Sequence, residues 1–260
     1  MKCCDIIAKL EELSPVSFAA DWDNPGLMVG RPDKDVQRVY IALDATDAAI
    51  AKAIEYDCEM IITHHPMIFR PIKSVTGDDF VGRRILKLAR HDVCCYAMHT
   101  NFDVMGMADA AADTLGLKNP QVLDVTYDDE ISKEGFGRVG ELPNAMTLRD
   151  YAEYVKKAFD LEVVKVFGDL DRAIESVAIC PGGGGSVLNA AISSGADVFI
   201  AGDIDYNPGI DAVARGMAVI DAGHFGTEKL FMPYIKDYLN RELPGLGVAT
   251  HEHAKPCSFI

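Results

Sequence analysis

Apolar positions along this chain fall into two kinds of run. In the opening segment they recur at Ile6, Ile7, Leu10 and Leu13, a helical spacing that Ser14-Pro15 ends. Residues 38–43, 60–63 and 93–98 are instead short, nearly continuous apolar runs between turn-forming residues, which predicts buried strands. The stretches 46–56 and 80–90 between them mix apolar and polar positions with helical period, and Thr46 stands where an N-cap belongs. A brief strand is expected at 27–29, after the turn-rich loop Asp21-Trp-Asp-Asn-Pro-Gly26.

The same order returns later in the chain. Strands are predicted at 174–180, 197–201 and 217–220, with helices at 186–194 and 208–215 between them and a closing helix at 229–240. Each half reads β-α-β-α-β, a pattern that makes parallel strands with right-handed crossovers. Glu59-Met-Ile-Ile-Thr63 and Asp197-Val-Phe-Ile-Ala201 share an acid followed by a short apolar run, consistent with an old duplication. The expected fold is therefore α/β, with two similar lobes built on mostly parallel sheets. Residues 1–118 form the N-terminal lobe and 150–260 the C-terminal lobe. The acid- and glycine-rich stretch 119–149 connects them and holds a strand at 136–140.

Composition narrows the function classes. At 260 residues and 49% apolar content the chain can bury a sizeable core. A net charge of −15 repels phosphate backbones and anionic membranes, so nucleic acid and lipid are not expected partners. The N-terminus has acids in its first turns and no long apolar stretch, so neither a secretion signal nor a membrane span is expected. The seven cysteines include the neighbours Cys3-Cys4 and Cys94-Cys95 and form no CxxC spacing. Reduced thiols in a cytoplasmic protein follow, with Cys94 and Cys95 packing in a strand rather than ligating metal.

Ligand-type residues collect just after predicted strand ends. His64 and His65 follow one strand, His99 and Asp103 another, and His224 and Glu228 a third. The crevice beyond the carboxyl ends of strands is where α/β folds build sites, and two facing lobes would bring these loops together in a cleft. His99 to Asp103 and His224 to Glu228 each span one helical turn, which puts each pair on one face. Singly, each residue is equally a hydrogen-bonded loop histidine or a helix cap; together they favour a metal site. His64, His65, Asp103, His224 and Glu228 exceed what one tetrahedral ion needs, and a bridging carboxylate would serve two divalent ions. Paired ions activate water and stabilise a leaving oxygen, which is hydrolase chemistry. Nitrogen-plus-oxygen ligation suits zinc, iron, manganese, cobalt or nickel without ranking them.

Other features carry two readings each. His99 is the candidate catalytic residue, as a general base or as a group orienting a ligand; a histidine capping the turn to Asp103 is the alternative. Pro181 and the four glycines after it precede a helix and read as a tight strand-to-helix turn, or as a phosphate cradle that lacks a P-loop lysine. Arg70 and Lys73 are ordinary surface cations or contacts for an anionic substrate. His251 and His253 are expected on the surface. Trp22 is expected to anchor its loop in the core, with a place at the site's rim as the other option.

These residues resemble a known family. Asp21-Trp-Asp-Asn-Pro-Gly26, Thr63-His-His-Pro66, His99-Thr-Asn-Phe-Asp103, Gly202-Asp203 and Gly223-His-Phe-Gly-Thr-Glu228 are similar to the GTP cyclohydrolase I type 2 homologues, the Ngg-one-interacting-factor-three-like proteins, along the whole chain. The resemblance implies a two-metal centre with His64, His65, Asp103, His224 and Glu228 as ligands and Glu228 bridging. It also implies a toroidal homohexamer built from dimers, in the short form without the family's inserted domain. Asn207 stands where many relatives carry a histidine, which touches an accessory contact but not the five ligands. The expected activity is metal-dependent hydrolysis of a small nucleotide-like or heterocyclic substrate. The alternative is a metal-handling or regulatory scaffold without turnover.

Overall fold

The computed structural model describes residues 1–251, 255–258 and 260. In chain order the elements begin with α1 (Cys3–Leu13), β1 (Gly26–Val29), β2 (Arg38–Ala42), α2 (Asp47–Glu55), β3 (Met60–Thr63), α3 (Phe80–Arg90), β4 (Cys94–Ala97) and α4 (Thr100–Phe102). After a π-helical turn at Asp103–Met107 come α5 (Ala108–Leu115), β5 (Lys118–Asp128), β6 (Lys133–Thr147), α6 (Leu148–Ala158), β7 (Lys165–Phe167) and β8 (Ala173–Gly183). The chain continues through α7 (Leu188–Ser194), β9 (Val198–Gly202), α8 (Tyr206–Ala214), β10 (Ala218–Asp221), α9 (His224–Glu228), α10 (Phe231–Glu242) and β11 (Gly247–Thr250). No helix among the described residues is long and apolar enough to cross a membrane.

Two compact units result: Met1–Phe102 together with the chain from Phe231 through β11, and Asp103–Leu230. The first holds a sheet of order β1-β4-β3-β2-β11, parallel from β4 to β11, with β1 antiparallel at one edge. Strand residues alternate between faces. Tyr40, Ala42, Ile61 and Cys95 pack on one side with Ala49, Ile50 and Ala53 of α2 and Leu88 of α3. On the other, the Cys3 thiol of α1 reaches Met60 Sδ at 4.0 Å. The expected cap on α2 is present, Thr46 Oγ1 accepting from Ala49 N at 3.0 Å.

The second unit holds a sheet of order β5-β6-β8-β9-β10-β7, parallel over β8, β9 and β10. Its two faces are buried against different helices. Val177, Ile179, Val198, Ile200 and Ile220 meet α5 and α6 on one face. Ala178, Cys180, Phe199, Ala201 and Val219 pack on the other with α7 and α8. That double burial explains why these strands read as continuous apolar runs. Residues 119–149, read from sequence as a connecting stretch, lie mostly in the antiparallel hairpin β5–β6, and β6 pairs on to β8. The mixed α/β architecture with two sheets is the fold class expected from the periodicity.

Candidate metal centre

In the first unit, the carboxyl ends of β2, β3 and β4 interlock. His64 N and His65 N both donate to Leu43 O, at 3.2 and 3.0 Å, and Met98 N donates to Thr63 O. These bonds hold the chain after β3 in a tight bend, so consecutive histidines escape strand alternation and both face one place. His64, His65 and His99 offer ring nitrogens within 4.8 Å of one another. His64 is fully buried, and the other two are partly exposed.

Each ring is held by its other nitrogen. His64 Nδ1 lies 2.8 Å from Met98 O, His65 Nδ1 2.9 Å from Asp44 Oδ1, and His99 Nδ1 2.7 Å from Asp23 Oδ1. A carbonyl or ionised carboxylate only accepts, so the proton sits on Nδ1 and the lone pair on Nε2, the nitrogen a metal would take. Asp23 is itself fixed. Burial pushes its carboxyl up, but the hydrogen bonds from His99 and Thr100 outweigh that and hold it down at about 2.

The second unit gathers Asp103, His224 and Glu228. His224 opens α9 just past β10, and its Nδ1 lies 2.8 Å from Asp203 Oδ2. One turn later Glu228 is buried, with Oε2 3.0 Å from His224 Nε2. Two electron-rich atoms at that spacing need a cation between them, a proton or a metal ion. A carboxylate oxygen of Asp103 lies within 4.8 Å of one of Glu228.

Asp103 begins the π-helical turn, a distortion that recurs at functional sites. Buried Arg138 supports it, donating Nη2 to Val104 O at 3.4 Å while gripping Asp109 through Nε and Nη2 at 2.6 and 2.9 Å. The glycine run that ends β8 leads through Gly184–Ser186 into α7, the strand-to-helix turn anticipated as one of its readings. Gly182 N donates to Thr227 Oγ1 at 2.9 Å, fastening the turn to α9. At φ +76° a Cβ on Gly182 would lie 2.1 Å from Glu228 Oε1. The backbone thus forms a cradle that admits the carboxylate and nothing larger. The donor set is imidazole and carboxylate, fitting a borderline divalent ion. The Cys180 thiol is pushed up by burial and then by the charges of Asp103 and Glu228.

The remaining sequence candidates are exposed or differ from expectation. Arg70, Lys73 and Asn207 are exposed. His251 is half-buried rather than on the surface, its Nδ1 2.8 Å from Tyr40 Oη; His253 lies outside the described residues. Trp22 is 63% exposed and does not anchor its loop in the core. Asp23, Asn24 and Thr100 tie that loop inward instead. Asp44 was not singled out from sequence. Its signal was a carboxylate just past the end of β2, the neighbour of the histidine-bearing strand.

The chain is similar to known proteins in sequence and in fold. A family model described as Duf34/NIF3 (NGG1p interacting factor 3) matches residues 1–256. The GTP cyclohydrolase 1 type 2 homolog of Clostridium acetobutylicum is 36% identical over 252 residues, 96% of this chain and 94% of that protein. That of Streptococcus pneumoniae is 35% identical over 248 residues, 93% and 91% of the two. Among solved structures, the Bacillus cereus protein related to NIF3 superposes with a TM-score of 0.91 at 25% identity, covering 100% of this chain and 99% of that one. Reduced HcgD from Methanocaldococcus jannaschii gives 0.84 at 30% identity, covering 97% and 98%.

Proposed function

The chain belongs to the Duf34/NIF3 family, and on that footing we propose that it is a metal-dependent hydrolase acting on a small nucleotide-like or heterocyclic substrate. In this reading His64, His65, Asp103, His224 and Glu228 would hold two divalent ions. The observation that carries it is the common treatment of the histidines. Each has Nδ1 on an oxygen acceptor, which presents Nε2 as a ligand. Glu228, buried and cradled by Gly182, would supply a carboxylate to the ions.

Divalent ions held there would activate water at neutral pH and stabilise the leaving oxygen. The protein's own groups supply the rest. Met98 O, Asp44 and Asp203 fix the tautomer and direction of the ligand rings. His99, held by Asp23, keeps its Nε2 lone pair as a proton acceptor, the role of a general base. Buried Asp23 cannot rotate away, because Thr100 donates to it twice. The relatives' name points to GTP ring opening with loss of formate as the reaction to try first. The working protein in this account is a cytoplasmic homohexamer assembled from dimers.

The test is a substrate screen on protein loaded with zinc, iron, manganese, cobalt or nickel, reading formate release from GTP and hydrolysis across a nucleotide panel. Turnover that His99→Gln reduces at least a hundredfold, with both ions retained, is the expected result. Absence of turnover with every metal would remove the hydrolase reading. Sedimentation of the same sample gives the assembly.

A further inference from the structure

The chain's one tryptophan stands uncovered beside the histidine cluster. Its backbone is not slack. Ala20 N donates to Thr100 Oγ1 at 2.9 Å, and Asp23 N donates to Ala20 O at 2.9 Å. Asp23 is locked to His99 and Thr100. Asn24 Nδ2 donates to Ile68 O at 2.6 Å, tying this loop to the one that carries Phe69. The indole therefore projects from a segment fixed on both sides, with 63% of the residue's surface in solvent, and Phe69 is 44% exposed.

The rings form a corner. The Trp22 centroid lies 6.0 Å from that of Phe69 and 6.2 Å from that of His99, at interplanar angles of 62° and 76°. Phe69 lies 6.3 Å from His99 at 83°. His99 continues to His64 at 5.2 Å and His65 at 5.5 Å, so the corner runs without a break into the histidine cluster. Indole offers one of the largest apolar burials of any side chain. A fixed, uncovered one at the edge of a reaction site is a surface kept for an occupant. The Asp23 carboxylate is occupied by His99 and Thr100, and the corner itself offers π-faces. Such a surface recognises flat π-systems and is tolerant of their substituents.

We propose that Trp22 and Phe69 form a stacking subsite for a planar heteroaromatic ring of the substrate, seating it against His99. This deepens the hydrolase reading and rests on it for the ring's role, while the subsite itself is separately measurable. With one tryptophan, emission reports this residue alone. Full-length protein, metal-loaded and chelator-treated, is titrated with GMP, AMP and UMP, and with ribose 5-phosphate, which has the sugar and phosphate without the ring. At least one nucleotide quenches saturably, and ribose 5-phosphate does not. By calorimetry, Trp22→Ala raises that nucleotide's dissociation constant about tenfold or more, and Trp22→Phe only about threefold. Metal content, solution mass and the weak response to ribose 5-phosphate stay as in the parent protein.

Nucleotides and ribose 5-phosphate acting alike would overturn the subsite, as would unchanged nucleotide affinity in Trp22→Ala. Blue-shifted emission from the ligand-free protein, or a fall in solution mass on Trp22→Ala, would assign the residue to a subunit contact instead. Ring-dependent quenching in protein that binds no metal leaves the subsite standing and removes the metal reading. Bound metal with no ring-dependent response removes the subsite alone.

Discussion

Gly182→Ala is the sharpest perturbation the geometry offers. The residue sits at φ +76°, where a side chain costs about 1–2 kcal/mol in backbone strain alone. The added methyl would also lie 2.1 Å from Glu228 Oε1 and 3.0 Å from its Cδ. A non-bonded carbon–oxygen contact needs roughly 1 Å more than that, so the carboxylate must shift by about that distance. Ligand distances tolerate only about 0.2 Å, so such a shift breaks the coordination of any ion Glu228 holds. The variant is predicted to fold, to lose about 2–4 kcal/mol of stability, and to bind metal at least a hundredfold more weakly. Gly185→Ala is the control, because a Cβ there meets nothing within 4 Å. Denaturant melts give the stability and calorimetric titration with zinc or manganese gives the affinity. Folded Gly182→Ala protein that binds metal as tightly as the parent would refute the placement of Glu228 in the centre.

Three further outcomes follow from named contacts. Asp23 has a folded pKa of about 2 against an ordinary 3.8, so its contribution is fully present above pH 3.8 and is lost as pH falls through about 2. Asp23→Asn should cost about 2 kcal/mol at pH 6, a difference from the parent that shrinks on acidification through that window in urea melts. Arg138→Met removes a buried guanidinium from Asp109 and from three backbone carbonyls, Val104, Gly135 and Gly137. It should cost about 3–5 kcal/mol in denaturant midpoint analysis and weaken metal binding through the turn bearing Asp103. Asp44→Ala removes the acceptor at His65 Nδ1 and should weaken metal binding about 10–100-fold in calorimetry with little change in melting; an unaltered affinity would deny Asp44 its orienting part.

The strands that hold the histidines were legible because both faces of each are buried. Met60-Ile-Ile62, Val177-Ala-Ile-Cys180 and Val198-Phe-Ile-Ala201 are unbroken apolar segments for that reason. The hairpin β5–β6 was not legible as such. β5 is an edge strand, largely exposed and carrying Lys118, Pro120 and Asp124, so its strand character comes from pairing with β6 rather than from its own pattern. The π-helical turn at Asp103 has no composition of its own; Arg138, distant in sequence, supports it. The histidines declared themselves by residue type and strand-end position, whereas their partners did not. A carboxylate such as Asp44 is one of 40 acids in the chain, and only the parallel pairing of β2 with β3 sets it beside His65. Trp22 reversed its expected place because the anchoring of its loop is done by polar neighbours, leaving the indole outside.

The central proposal is that His64, His65, Asp103, His224 and Glu228 hold two ions per chain. Elemental analysis of protein purified without added metal, alongside His65→Ala and Glu228→Ala, tests it most directly. The account predicts close to two divalent transition ions per parent chain and a clear loss in each variant. Parent protein free of metal, or variants that keep both ions, would contradict it.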